Sequence, residues 1–151
     1  LMTAAIADAT DREVELSRET ALMGTAGGLA LARDRGLLGT DGADQVINGD
    51  GISKLDITSL LEQHARPGDS LTLGLLPHPD PSRWSRVLVD DRGAVTAIRP
   101  PGEGQQGDQP RVYPGVMLVS REALDQLPSS TGEIPERLWF PALKIGALGG
   151  A

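Results

Sequence analysis

Leu22-Met23-Gly24-Thr25-Ala26-Gly27-Gly28-Leu29, followed further along by Val46-Ile47-Asn48-Gly49-Asp50, is the stretch whose reading decides the fold. Small residues at Gly24, Thr25, Ala26 and Gly27 let a backbone lie flat against a planar ring and read its edge with N–H groups. Alone, the segment reads first as a glycine-rich turn before a helix. Leu29, Ala30, Leu31 and Ala32, closed by Gly36, suit a short helix from Gly28 to Arg35. Asp44 to Asn48 has the run of a buried strand and ends in Gly49-Asp50-Gly51. A carboxylate there enters the crevice at the carboxyl ends of a sheet, where α/β ligands bind. Asp50 can hold Mg²⁺ in that place, with glycines on both sides letting phosphates approach the backbone. Alone, this corner reads as an acidic turn, because one carboxylate does not make a metal site.

Outward from this stretch, short apolar runs alternate with helical patterns. Val14 to Leu16 suits a short strand. Asp56 is a good N-cap for a helix through His64, with Ile57, Leu60 and Leu61 on one face. Ser70 to Leu76 reads as a strand and Pro77 to Pro81 as a loop. Arg86 to Asp90 and Ala94 to Arg99 flank Asp91-Arg92-Gly93, a hairpin signal. Pro100 to Pro110 reads as loop. Within it, Gly102-x-Gly104-x-x-Gly107 lacks the strand before and helix after that a dinucleotide fingerprint needs, so it is a flexible loop. Val112 to Val119 is a strand interrupted by Pro114-Gly115, an edge or a bulge. Ser120 caps a short helix through Leu127, Glu133 to Leu143 looks helical with a break near Pro141, and the end from Gly146 reads as a stop. The expected class is α/β: a Rossmann-like, mostly parallel sheet flanked by helices, with a β-hairpin excursion.

Composition excludes several function classes. The 151 residues carry a net charge of −7, which argues against nucleic acid as a partner. No long apolar run offers a membrane span, and the start at Leu1 lacks the features of a secretory signal. With no cysteine and two distant histidines, disulfides, thiol nucleophiles and zinc clusters are not expected. A cytoplasmic location follows by default. One Phe, one Tyr and two Trp leave the core to Leu, Val, Ile and Ala. Lys54 and Lys144 are the only lysines among 14 basic residues, a bias in keeping with a bacterial source. His64 reads as packing at a helix end and His78 as solvated, while Arg83 and Arg86 could face an anionic ligand.

The ordered set of motifs adds what no single one carries. Glu19-x-x-Leu22 to Leu29, Val46 to Asp50, and Leu55-Asp56-Ile57-x-x-Leu60-Leu61-x-x-His64 resemble the sugar-phosphate nucleotidyltransferase family that includes mannose-1-phosphate guanylyltransferases. The likeness continues through Pro79 to Trp84, Val87 to Val95, Gly115 to Ser120 and Leu138 to Leu143. The resemblance implies the nucleotide-diphospho-sugar transferase fold, with 1–151 as a single partial domain. It implies transfer of a nucleotidyl group from a nucleoside triphosphate to a sugar 1-phosphate, with Mg²⁺ as cofactor. By it, Gly24, Thr25, Ala26, Gly27, Asn48 and Gly49 face the nucleotide and Asp50 is the catalytic metal ligand. Ser85, Arg99, Tyr113 and Gly115 face the sugar phosphate. GTP is the expected nucleotide because Gly-Thr-Ala-Gly-Gly most resembles the guanylyltransferase branch. A homo-oligomer stands among the expected associations.

Departures from the family pattern fall on the sugar side. Trp84-Ser85 replaces Tyr-Gly, Arg99-Pro100-Pro101 replaces Glu-Lys-Pro, and Tyr113-Pro114-Gly115 replaces Asn-Ala-Gly. These changes point to an unusual acceptor, such as a cyclitol phosphate, or to a catalytically inactive, nucleotide-sugar-binding or regulatory homologue. The family's opening Gly-rich loop and its later segment with a second metal-binding Asp have no counterpart in the sequence. The expectation is an internal piece of a longer enzyme, the alternative a truncated relative.

Overall fold

Apolar runs buried on both faces build the centre of the molecule, and their connections explain its layout. The computed structural model describes residues 14–77, 80–103 and 109–151. Helix α1 spans Gly24–Asp34, strand β1 Ala43–Ile47, helix α2 Ile57–His64, strand β2 Leu71–Leu73 and strand β3 Leu76–Pro77. Strands β4 (Arg86–Val89), β5 (Val95–Arg99), β6 (Arg111–Val112) and β7 (Val116–Ser120) follow. Helix α3 (Arg121–Asp125), a π-helical turn (Pro135–Trp139), helix α4 (Phe140–Ile145) and strand β8 (Leu148–Gly150) complete the order.

The strands form two four-stranded sheets, β1-β7-β2-β8 and β3-β6-β4-β5. In the first, β1 and β2 both pair antiparallel to β7, while β8 pairs parallel to β2. Thus β1, β2 and β8 run one way and β7 is threaded between β1 and β2 in the opposite sense. The α/β class holds, and three of the four strands of the first sheet point one way, but the expected mostly parallel pairing does not form: β7 separates β1 from β2, and only β2 and β8 pair in parallel. Helix α2 makes the crossover from β1 to β2, as parallel neighbours in direction require. The reversal arises because β7 enters from the second sheet.

The chain passes between the sheets twice, and both passages fall at local breaks in strand geometry. The run expected from Ser70 to Leu76 splits at Gly74-Leu75 into β2 and β3. The run expected from Val112 to Val119 splits at Tyr113-Pro114-Gly115 into β6 and β7. Proline cannot donate to a ladder, so Pro114 suits the crossover better than a strand interior. The second sheet therefore lies beyond the carboxyl ends of β1 and β2.

Leu71, Leu73, Met117, Val119, Leu124 and Leu148 are almost wholly enclosed. Each such side chain contributes about 1.5–3 kcal/mol relative to exposure. By contrast, β1 is not the buried strand its sequence suggested: it is an edge strand with Ile47 exposed. Its alternation, Val46 against the core and Gln45 and Ile47 outward, is that of a one-sided edge.

Several local expectations hold for stated reasons. The Asp56 carboxylate accepts from the N–H groups of Thr58 and Ser59 at 3.0 and 3.3 Å, capping α2. The Ser59 hydroxyl and those amides hold this carboxyl below the ordinary aspartate range. Ser120 caps α3 by accepting from Ala123 N–H at 3.2 Å. The hairpin forms as expected, with the Asp90 carboxylate accepting from Arg92 and Ala94 N–H at 2.9 Å each.

Other expectations are corrected. Val14 to Leu16 carries no strand. Helix α1 starts at Gly24, not Gly28. The break expected near Pro141 is a π-helical turn just before it, where Phe140 N–H bonds Pro135 O. Pro141, at the start of α4, lacks the N–H that an unbroken helix would need. The glycine-rich end is strand β8, not a stop. A Cβ at Gly150 would stand 2.5 Å from Leu75 Cδ1 and 3.0 Å from Val89 Cγ1, so the core side chains of β3 and β4 close directly over this backbone. His78 and most of the Gly102-x-Gly104-x-x-Gly107 pattern lie outside the described residues.

Candidate functional site

Four of the predicted residues, Asn48, Gly49, Asp50 and Gly115, meet at the carboxyl end of β1. The β1–β7 ladder is extended by Asn48 N–H donating to Gly115 O at 2.8 Å. Gly115 has φ +95°, and a Cβ there would stand 2.8 Å from Asn48 Cβ and 2.9 Å from its amide. A Cβ at Gly51 would come 3.2 Å from Pro114 O. The turn Asn48–Gly51 is therefore laid directly against the crossover Pro114-Gly115. Between them opens a cavity of about 340 Å³, lined by Ile47, Asn48, Gly51, Ile52, Leu55 and Pro114 among others. Asp50 is exposed on the same turn. The structure thus brings together Asn48 and Gly49 from the nucleotide set, the expected metal ligand Asp50, and Gly115 from the sugar set.

Gly24, Thr25, Ala26 and Gly27 occupy the first turn of α1 instead of a flat loop. Gly24 has φ +72°, the kink that starts the helix. Ala26 and Gly27 N–H donate to Gly132 O at 3.0 and 3.3 Å. The Thr25 hydroxyl donates to Glu133 Oε2 at 2.8 Å, and its N–H to the same oxygen at 3.3 Å. Thr25 Oγ1 in turn accepts from Ile134 N–H at 3.2 Å. The amides expected to read a base edge are engaged by residues 132–134. Glu19 adds a second carboxylate, accepting from Met23 N–H at 2.8 Å. No hydrogen bond among the described residues joins this turn to Asn48–Asp50.

The remaining sugar-side residues sit in or beside the second sheet. Ser85 is exposed ahead of β4, and Arg99 ends β5 opposite Arg86. Tyr113 stands edge-on to Trp139, ring centroids 4.7 Å apart and planes at 77°. Burial pushes its hydroxyl up to about 12, so the phenol stays neutral. Its ring is packed against the main core, which makes it a packing residue in this structure.

Three side chains were not marked as site residues by sequence. Glu133 and Glu19 close the start of α1, and their only signal was an acid lying far away, or one turn ahead, in the chain. Arg86 was noted for an anion but not paired. Its partner becomes evident only from the register of β4 on β5. A larger cavity of about 490 Å³ lies between α3 and α4, lined by Ser70, Glu122, Gln126, Arg137 and Ile145 among others. It holds none of the predicted residues.

The fit of Mg²⁺ rests on Asp50 alone. Among the described residues no group of three or more His, Asp or Glu side chains is placed to hold a metal. Among the described residues no helix is long and apolar enough to cross a membrane.

Comparison with known proteins agrees with this layout. The chain and HddC from Yersinia pseudotuberculosis superpose with a TM-score of 0.77, covering 99% of this chain and 63% of that one at 20% identity. A second structure, HddC complexed with GMP-PN, gives a TM-score of 0.76 at 19% identity. The fold is that of the nucleotide-diphospho-sugar transferases. In sequence, the chain is 32% identical over 131 residues to mannose-1-phosphate guanylyltransferase from Mycobacterium tuberculosis (strain ATCC 25618 / H37Rv), covering 87% of the chain and 35% of that protein. It is 30% identical over 139 residues to mannose-1-phosphate guanylyltransferase 1 of Arabidopsis thaliana, covering 91% of the chain and 37% of that protein. The chain spans about a third of the length of these curated relatives. No protein-family model matches it. Over the part that it spans, the chain is similar to mannose-1-phosphate guanylyltransferases.

Proposed function

We propose that this chain forms part of the site of a nucleotidyltransferase, which transfers a nucleotidyl group from GTP to a sugar 1-phosphate or cyclitol phosphate. The observation that carries this reading is the meeting of the Asn48–Asp50 turn with Gly115 at the carboxyl edge of the sheet. There a residue from the nucleotide-facing motif touches one from the sugar-facing motif, as a reaction joining the two substrates requires. The likeness to mannose-1-phosphate guanylyltransferases supports the same reading.

In the proposed reaction an oxygen of the acceptor's phosphate attacks the α-phosphorus of the triphosphate. The bond from that phosphorus to the bridging oxygen breaks, and pyrophosphate leaves with the electron pair. Mg²⁺, held by Asp50 when bound, supplies charge neutralisation. Asn48 and Gly49 keep the turn close to the phosphates, since Gly49 adds no Cβ to obstruct them. Thr25, exposed at the start of α1 and held by Glu133, faces the base in this reading, while Ala26 and Gly27 are buried and shape the turn from behind. The open cavity beside Ile52 and Leu55 receives the apolar face of a ring.

A second reading is a catalytically inactive, nucleotide-sugar-binding homologue. It is favoured by the Thr25, Ala26 and Gly27 amides being already bonded within the chain. Melting the protein with GTP, UTP, dTTP, CTP and ATP, each with Mg²⁺, tests both. Ligands that bind the native state raise Tm. GTP should raise it most, and no rise with any nucleotide overturns both readings. Release of pyrophosphate on adding sugar 1-phosphate separates them, and Asp50→Asn should abolish it while leaving the melting curve unchanged.

A further inference from the structure

Helix α2 buries two of its residues, Leu60 and Gln63. Leu60 packs with Val116 and Leu118, as an inward helical position should. Gln63, one turn further on, is 7% exposed and is one of two buried polar side chains among the described residues. An amide taken out of water costs free energy unless it is bonded, a cost that an apolar side chain of the same size avoids. The amide at this position therefore serves direction more than burial.

Gln63 Nε2 donates to Asp69 Oδ2 at 3.0 Å. Gln63 Oε1 lies against the turn of the β4–β5 hairpin, where a Cβ at Gly93 would overlap it. Asp69 lies against β8: a Cβ at Gly149 would overlap its carboxylate and stand 3.2 Å from Gln63 Nε2. The pair thus fills the angle between the end of α2, strand β8 and the hairpin turn. Further contacts close the same seam. Gly150 N–H donates to Gly93 O at 2.8 Å, Ala94 bridges to Gly149, and the Arg66 guanidinium donates to Arg92 O. Val87 and Val95 hold the hairpin's inner face in the main core, but apolar packing has no direction of its own. A satisfied buried polar pair does, and it specifies one arrangement.

Helix α2 follows the Asp50 turn at its amino end and meets the hairpin at its carboxyl end. One helix therefore spans from the turn expected to hold the metal to the hairpin that carries Ser85 and Arg99. We propose that Gln63, acting through Asp69, is the positioning residue that latches the hairpin to α2 and so fixes the acceptor side relative to the Asp50 turn. The latch belongs to the fold alone; what it positions rests on the proposed function.

Hydrogen exchange of the free protein tests the latch with no substrate present. In the wild type the Gly93, Ala94 and Gly150 amides should be protected, and exchange at the rate of an open loop overturns the latch at once. Gln63→Leu should speed these amides about tenfold, the loss of one hydrogen bond to a charged group. The Asn48 amide, bonded to Gly115 O on the β1–β7 side, should keep its rate. A general loss of stability would speed both sets alike and overturns the latch. Gln63→Glu alone sets two carboxylates together and should also speed the turn amides. Combined with Asp69→Asn it restores an amide–carboxylate bond with its ends reversed, and the wild-type rates should return. A double variant as fast as Gln63→Glu alone overturns the latch, whether or not Gln63→Leu folds. In turnover, Gln63→Leu should raise the KM for sugar 1-phosphate about tenfold and leave that for GTP unchanged, and any other pattern overturns the positioning role. A protein that passes the exchange test but binds no nucleotide loses the proposed function and keeps the latch. One that binds GTP and fails the exchange test loses the latch alone.

Discussion

Replacing Gly115 by alanine should damage the fold and the candidate site together, through two separable effects. The backbone there has φ +95°, a region in which a residue with a Cβ is strained by about 1–2 kcal/mol. The added Cβ would also stand 2.8 Å from Asn48 Cβ, an overpacking that costs about 1–3 kcal/mol where neighbours yield little. Asn48 yields little because its N–H is held by Gly115 O at 2.8 Å. Together Gly115→Ala should cost about 2–5 kcal/mol, lowering Tm by about 5–15 °C for a domain of this size. Asn48→Gly removes every side-chain atom in the clash and leaves the dihedral strain. In that background Gly115→Ala should cost only about 1–2 kcal/mol. Urea unfolding of the four proteins closes the cycle, with an expected coupling of about 1–3 kcal/mol. Equal costs in both backgrounds, within about 0.5 kcal/mol, would refute the contact on which the site's assembly depends.

Further outcomes follow from other contacts. Arg33 donates to the carbonyls of Leu124 and, at 2.6 Å, Leu127, pinning α1 to the end of α3. Arg33→Met leaves the Leu127 carbonyl without this donor, while Leu124 O keeps the Leu127 N–H at 3.1 Å, and should lower the urea midpoint by an amount equivalent to about 1–3 kcal/mol, with an unchanged slope. His64 is pushed below its ordinary 6.5 by burial, a shift that the nearby Asp69 carboxylate opposes. The unfolded chain then takes up a proton before the folded one does, so stability should fall as pH drops below 6.5. His64→Gln, which can still meet the Thr72 hydroxyl now 2.9 Å from Nδ1, should flatten that acid slope; an identical slope would remove His64 as its source. Thr25→Val keeps the shape of the α1 turn but loses the hydroxyl between Glu133 and Ile134, and should lower Tm and weaken any GTP-dependent rise. A GTP effect unchanged in this variant would detach the α1 turn from nucleotide binding.

What the sequence disclosed divides along physical lines. Local signals were legible: Asp56 and Ser120 as caps, and Asp90 to Gly93 as a hairpin turn, because a few adjacent residues determine each. The break at Pro114-Gly115 was visible, but its consequence was not. That the chain changes sheets there depends on β7 finding both β1 and β2 as partners, which no local pattern encodes. Likewise β1 reads as buried because Val46 and Ile47 adjoin, yet it lies at an edge where Ile47 faces outward. The start of α1 was misplaced since Gly24 and Gly27 are poor helix formers. Their helix is held by Gly132 and Glu133, more than a hundred residues away. Asn48 and Gly115 were each marked for the site, but only the fold shows them in contact.

Under the proposed function, the two crossovers let the acceptor side change while the nucleotide side does not. Asn48 and Asp50 hang from β1, whose ladder with β7 is set by the core sheet. Ser85, Arg86 and Arg99 hang from β4 and β5, which meet the core sheet through the Gly74-Leu75 and Tyr113–Gly115 passages and the contact of Gly93 with β8. Gly150 N–H donates to Gly93 O at 2.8 Å, and Val87, Val89, Val95 and Ile98 pack the hairpin's inner face against the main core, with the Arg86–Arg99 end at the far side from the turn. Substitutions at the remote end can alter which anion is held without breaking the β1–β7 register that places Asp50. Exchanging Arg86 and Arg99 for glutamine should therefore leave both the fold and a Mg²⁺-dependent GTP shift in place. Loss of both together would mean that the hairpin and the Asp50 turn act as one unit.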